Sequence, residues 1–310
     1  MAWLDYVKRD PVPWLLDPSN PSARYFTLRD IFGQSGAALT RARVAILGWP
    51  PVQEIIHQGN SHNFWGRSIN PYYGGPVGTF GTLYQLAQLG TPPTPLLQEA
   101  CENLLSYGRI EDGRFAITDL SGTAWLCYTG MALEIVHNFG MDDDPRALSA
   151  RRALLDLVRH RPGTLNCPIA DGKCPAAMVK ALRGLLATQT TPPVPEDAEV
   201  IETLITLLLD RPYDFKGRDA AWVRPTFPRH YDSDLLELCQ TLALTPYRDD
   251  PRHRQLMQQL VLLQTSEGTW RKVRASPSTQ LESIGQPSRW LTYMAIHALI
   301  NTYGDNTYAQ

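Results

Sequence analysis

Along most of the chain, apolar residues recur at a spacing near 3.6, the period of a helix with one buried face. Leu148, Leu154, Leu155 and Val158 mark one such stripe, and Leu235, Leu238, Cys239 and Leu242 mark another. Strand-like alternation is scarce, so the pattern predicts an all-α protein. Proline is frequent, 25 of 310 residues against an average of about 5%, and its placement agrees with helices. Asn20-Pro21, Thr94-Pro95, Asp144-Pro145, Cys174-Pro175, Asp250-Pro251 and Gln286-Pro287 stand where apolar stripes begin. Most of these pairs read as a capping residue before a proline at the first helical position, where the missing N–H costs nothing.

The predicted helices come in pairs. First members start near Pro21, Gly75, Gly122, Cys174, Asp232 and Ser288, and second members follow over 39–58, 94–107, 145–160, 195–210 and 250–265. The tetrapeptide D-D-P-R occurs at Asp143–Arg146 and again at Asp249–Arg252, each time between one apolar helix and the next. A unit of about 50 residues holding two helices cannot bury its apolar face alone and has to stack on its neighbours. The sixth pair lacks a second member downstream, and the amphipathic stretch Trp3–Leu16 can supply it. The expectation is a closed α6/α6 toroid, one domain over residues 1–310, with an N-terminal helix over 3–16 closing the ring.

Composition removes several function classes. Charged residues make up 19%, and 29 Lys+Arg against 31 Asp+Glu leave a net charge of −2, which is not the footprint of a nucleic-acid binder. No apolar run approaches the length of a membrane-spanning helix, which leaves at most peripheral membrane contact. The opening MAWLDYVKRDPVPW has acids and prolines where a signal peptide needs an apolar core. Five cysteines without tight spacing suit a reducing cytoplasm.

Gln264-Thr-Ser-Glu-Gly268-Thr-Trp270 fits the pattern Q-x3-G-x-W, and Glu111-Asp112-Gly113-Arg114-Phe115 reads as a degenerate copy of its end. With these motifs the chain resembles the α/α toroid superfamily of terpenoid cyclases and protein prenyltransferase β subunits, the prenyltransferase and squalene oxidase repeat type. It looks most like the prokaryotic single-domain branch of that group, through Arg24–Asp30, Phe227–Glu237 and Pro287–Thr292. As a pattern of repeats the resemblance spans nearly the whole chain. It implies a central cavity and an apolar, isoprenoid-like ligand.

In such a toroid the inner helices aim their N-termini at one mouth, where acceptors and anions are favoured. The candidates there are Arg24, Tyr72, Tyr73, Ser121, Cys174, His230, Asp232, Asp234 and Arg289. His230-Tyr-Asp232-Ser-Asp234 resembles the start of the cyclase motif D-x-D-D, which implies Asp234 as proton donor with Asp232 or His230 tuning it. Leu235 replaces the third aspartate, and a helix cap explains the same carboxylates. Cys167, Asp171, Cys174 and His230 resemble the prenyltransferase zinc site, which implies zinc as a cofactor. Asp171 and Cys174 are one residue further apart than in that family, and two half-buried thiols beside a loop are the plainer reading. Tyr72, Tyr73, Trp125, Tyr231 and Trp290 belong to an aromatic set suited to an apolar ligand. Arg24, Arg29 and Arg289 either bind a diphosphate or bridge neighbouring repeats. Asp142-Asp143-Asp144 reads as a cap before an outer helix.

Three functions follow. The first is an enzyme of terpene cyclase-like type that acts on an isoprenoid-like substrate by protonation, since no D-D-x-x-D stands at a suitable place for diphosphate ionisation. The second is a zinc-dependent prenyltransferase-like or hydrolytic enzyme. The third is a toroid that binds a hydrophobic ligand, or serves as a scaffold, without catalysis.

Overall fold

The structure, a computed structural model, describes residues 2–59, 64–66, 70–72, 74–116, 125–160, 162–167, 172–189, 194–304 and 307–308. Its helices are α1 (Val12–Leu15), α2 (Pro21–Phe26), α3 (Gly36–Val44), α4 (Pro50–His57), α5 (Thr79–Gln88), α6 (Pro95–Tyr107), α7 (Leu126–Asn138), α8 (Pro145–His160), α9 (Pro175–Ala187), α10 (Pro195–Leu209), α11 (Leu235–Ala243), α12 (Pro251–Leu262) and α13 (Arg289–Tyr303). Among the described residues β-pairing is limited to isolated bridges such as Gln264 with Trp270. The protein is all-α, as the periodicity predicts.

The starts of these helices follow from side-chain capping. Asn20, Thr94 and Ser288 accept from the backbone N–H three residues on, and Asp250 accepts from Arg252 N–H. Cys174 makes no such bond, and the cap of α13 is Ser288, two residues beyond the expected Gln286. In the two D-D-P-R copies, Arg146 pairs with Asp144 and reaches back to Glu102 on α6, and Arg252 pairs with Asp250 and reaches back to Asp210 at the end of α10. The repeated tetrapeptide therefore starts one outer helix and fastens it to the preceding one.

Two kinds of helix result. Every residue of α11 is buried, and Thr79–Leu86 of α5 are too, as expected of helices enclosed on all sides. On α12 the buried residues are His253, Leu256, Met257 and Leu260, a single stripe. The enclosed helices α5, α7, α9, α11, α13 and α2 pack in that order: α5 on α7, α7 on α9, α9 on α11, α11 on α13, and α13 on α2 and its π-helical continuation Thr27–Ile31. The ring closes where Ser22 Oγ donates to the Leu89 carbonyl at 2.8 Å and the rings of Tyr25 and Phe26 lie over Gly90. This is an α/α toroid with an inner ring of six helices.

In place of one helix over 3–16 there are two short turns, Trp3–Tyr6 and α1, with Pro11, which has no N–H to donate, standing between them. Both turns pack on α13. The Q-x3-G-x-W motif meets them. Gln264 accepts from Lys8 N–H at 2.8 Å and donates to the Tyr6 carbonyl at 2.9 Å. Gly268 has φ 71°, and a Cβ there would stand 3.0 Å from the Arg9 backbone nitrogen. Trp270 is fully buried and donates from Nε1 to the Leu260 carbonyl of its own hairpin. Among the described residues, no helix is long and apolar enough to cross a membrane.

Candidate functional site

The N-terminal end of the inner ring is filled. Tyr72, Phe80 and Tyr128 pack ring against ring with centroids 4.8–5.2 Å apart, and Trp125 adds an edge contact to Tyr128 at 5.6 Å. His230 stands against Phe80 and Tyr128 and is 3% exposed, and among the described residues neither ring nitrogen has a hydrogen-bond partner. Burial pushes its imidazole down to about 4, with the Lys180 ammonium adding to the effect, so the ring is neutral.

The segment Pro225–His230 then crosses the lumen. Phe227 stacks on Trp290 of α13 at 4.8 Å. On α5, which faces α11 across the ring, the Gln88 side chain holds the Arg229 backbone at both ends, accepting from its N–H at 3.0 Å and donating to its carbonyl at 2.8 Å.

Beyond this segment, toward the C-terminal ends of the inner helices, lies a cavity of about 320 Å³. All six inner helices line it. One wall is aromatic: Phe26 stacks on Tyr293 at 5.3 Å, Tyr293 stacks on His297 at 5.8 Å, and Trp290 continues the surface with Phe227. Another wall is ionic. Arg183 on α9 pairs with Glu134 on α7 at 2.8 Å, and the Tyr84 hydroxyl donates to the same carboxylate at 3.3 Å. Behind them the fully buried Lys180 donates to both oxygens of Glu237 at 2.8 and 2.9 Å, and Ser233 Oγ donates to Glu237 at 2.7 Å. Burial alone would raise the Glu237 carboxyl; Lys180, Arg229 and Arg183 overcome that and bring it down to about 2. Burial lowers His297, which keeps its ring neutral.

The sequence places the site at the helix starts; the structure opens the cavity at the other end, because aromatic side chains plug the N-terminal mouth. Of the ligand-binding candidates named from sequence, Trp290 lines the cavity. Tyr72 is buried and donates to the Gly108 carbonyl, Trp125 belongs to the aromatic plug, and Tyr231 is half-exposed on the outer side of His230. Arg24 lies half-buried on α2, away from the cavity lining, and Arg289 pairs with Asp17 at 2.6 Å. Tyr73, Ser121 and Asp171 lie outside the described residues.

The proposed acid group is also placed elsewhere. Asp234 caps α11 and is fully buried: Oδ1 accepts from Glu237 N–H at 3.0 Å and from Arg229 Nη2 at 2.9 Å, while Oδ2 accepts from Arg229 Nε at 2.9 Å and Thr226 N–H at 3.4 Å. It does not line the cavity. Asp232 pairs with Arg274 on the surface side and accepts from its neighbour His230 N–H. Cys167 and Cys174 are free, half-buried thiols. Among the described residues no three His, Cys, Asp or Glu side chains are grouped to hold a metal ion, so Cys167, Cys174 and His230 do not form one site.

Sequence reasoning missed Lys180, Arg183, Glu134 and Glu237. Their signal was an isolated charge inside an otherwise enclosed apolar helix, as in Leu235-Leu-Glu237-Leu-Cys239.

No family model matches the chain, and no curated protein matches it. Among solved structures, it is similar to the type II terpene cyclase MstE from Scytonema. The complex of a variant with merosterolic acid A gives a TM-score of 0.31 at 14% identity, covering 92% of this chain and 98% of that one. A variant complex with geranylgeranyl dihydroxybenzoate gives 0.32 at 13% identity over the same shares. The apo enzyme gives 0.31 at 14% identity, covering 80% of this chain and 95% of that one. Likeness at this level identifies no chemistry.

Proposed function

We propose that the protein binds an apolar, isoprenoid-like small molecule in its central cavity, and that it belongs to the ligand-binding rather than the proton-donating version of the toroid. The observation that carries the reading is the convergence of all six inner helices on one cavity with a continuous aromatic wall from Phe26 through Tyr293, beside Trp290 and Phe227. A volume near the lower end of small-molecule sites, about 300–1,000 Å³, suits a short prenyl chain. The reading takes residues 1–310 as one ring, with 3–16 as its last outer segment.

Alkene protonation asks for a neutral carboxylic acid that faces the ligand. Asp234 has both oxygens engaged by Arg229 and backbone N–H groups, and Glu237 is held ionised by the cations around it. Both therefore serve the scaffold in this reading.

The test is calorimetric titration with farnesol. Saturable one-to-one binding is expected, weakened about tenfold or more by Ala87→Phe or Ala187→Phe, which fill the cavity from two walls. Absence of saturable binding, or binding indifferent to both substitutions, defeats the reading.

A further inference from the structure

We infer that the ligand ends in an uncharged hydroxyl, held by Gln240 of α11 together with His297 of α13; this rests on the cavity being the binding site. The two side chains come from neighbouring inner helices and both line the cavity, with Gln240 Nε2 3.2 Å from His297 Nδ1. The His297 ring stacks on Tyr293, so this polar pair is built into the aromatic wall.

The other neutral polar side chains of the lining are committed to the scaffold. Gln88 spends its oxygen and its nitrogen on the Arg229 backbone. Asn138 accepts from Arg43 through Oδ1 and donates to the Thr91 carbonyl through Nδ2. Tyr84 donates to Glu134 and Tyr293 to Asp30. Gln240 is 7% exposed, and among the described residues its side chain bonds to His297 alone.

What this pair offers does not depend on how the amide is turned. Burial keeps the His297 ring neutral, so one ring nitrogen carries a proton and the other does not. With Nδ1 accepting from the amide, Nε2–H is left to donate and Gln240 Oε1 to accept. With the amide reversed, Nδ1–H donates to its oxygen, Nε2 is left to accept and the amide nitrogen to donate. Either way one donor and one acceptor remain side by side.

Water can serve such a pair, and a ligand group that displaces it loses affinity unless it makes the same two bonds. A hydroxyl donates and accepts at once. An ether or a carboxylate accepts only, and an ammonium donates only. Charge agrees with an uncharged head: Arg29 with Asp30, Arg183 with Glu134, Lys180 with Glu237 and Arg229 with Asp234 pair one to one, so these walls offer an ionic head no counter-charge.

The experiment compares four probes with one apolar chain, titrated at pH 7: farnesol, farnesyl methyl ether, farnesylamine and farnesoic acid. Farnesol should bind about tenfold more tightly than the ether, and more tightly than either charged probe. Gln240→Leu removes the amide, and His297→Phe keeps a ring against Tyr293 while removing both nitrogens. Each should shrink the preference for alcohol over ether to about threefold or less. Equal affinity for alcohol and ether in the wild type overturns the inference while the binding reading stands. So does a preference that survives both substitutions, or tightest binding of the amine or the acid. If no probe binds, the cavity reading falls and takes this one with it.

Discussion

Gly184 and Gly130 meet where α9 crosses α7, close enough that a Cβ on Gly184 would stand 2.7 Å from the Gly130 Cα. A Cβ on Gly130 would in turn stand 2.7 Å from the Ala181 backbone nitrogen. Backbone meets backbone, and neither side has a flexible group to move. Arg183 is next to one glycine and Glu134 is one turn beyond the other, so the same crossing sets the ionic wall. Gly130→Ala or Gly184→Ala should cost about 1–3 kcal/mol or more by chemical denaturation. Ligand affinity should fall with it. A variant of wild-type stability would show that the helices separate freely at this point.

Arg229 and Asp234 form a pair 1% and 0% exposed, hydrogen-bonded at 2.9 Å through two nitrogens. Removing one partner leaves the other buried and uncompensated. Arg229→Met and Asp234→Asn should each lower unfolding free energy by about 3–5 kcal/mol. Asp234→Asn that folds with full stability would free this carboxylate for a chemical role and revive the acid assignment.

His230 gives the fold a pH dependence. Its folded value lies near 4, below the ordinary 6.5, so between those values the unfolded chain binds the extra proton. Stability is therefore lost as pH drops from about 6.5 to about 4, by on the order of 3 kcal/mol for this group. His253, buried beside Thr302, works in the same direction with a value near 4. Glu237 acts lower: its value of about 2 lies below 4.5, so its contribution is present above 4.5 and lost as pH falls through 2. His230→Phe should remove part of the slope between pH 6.5 and 4 in urea titrations. It should also stabilise the protein at pH 7 by about 1 kcal/mol, because it deletes two buried polar atoms that have no partner among the described residues. An unchanged slope would place the titration elsewhere.

Gln264→Leu tests the closure of the ring. It cuts the ties to Tyr6 and Lys8, and each lost part-buried bond costs about 1 kcal/mol. Trypsin should then cleave at Lys8 and Arg9 faster than in the wild type, while α11–α13 stay protected. Unaltered cleavage would mean that stacking of Tyr6 on Tyr303 at 3.8 Å and burial of Trp3 hold the segment alone.

The fold was legible because capping and periodicity are local. Pro21, Pro95, Pro145, Pro175, Pro195 and Pro251 begin helices where the sequence places them. The first outer segment, expected as one helix over 39–58, is broken into α3, a 3₁₀ turn at Ala45–Gly48 and α4, since Pro50 and Pro51 interrupt it. The site was less legible because it depends on which end of the ring is blocked. Phe80, Tyr128 and His230 fill the N-terminal mouth only after non-local packing, and the path of Phe227–Arg229 across the lumen has no local signature. Asp234 shows the limit directly: its spacing fits both an acid and a cap, and the Arg229 side chain, five residues earlier, decides between them.

Because Pro225–His230 lies across the bore, width and depth are set by different stretches of chain. The inner helices fix the first through their mutual packing, whereas one clamped strap, anchored by Gln88, acts as a stopper and fixes the second. Lengthening or shortening that strap would change the size of guest accommodated without repacking a single rod of the barrel.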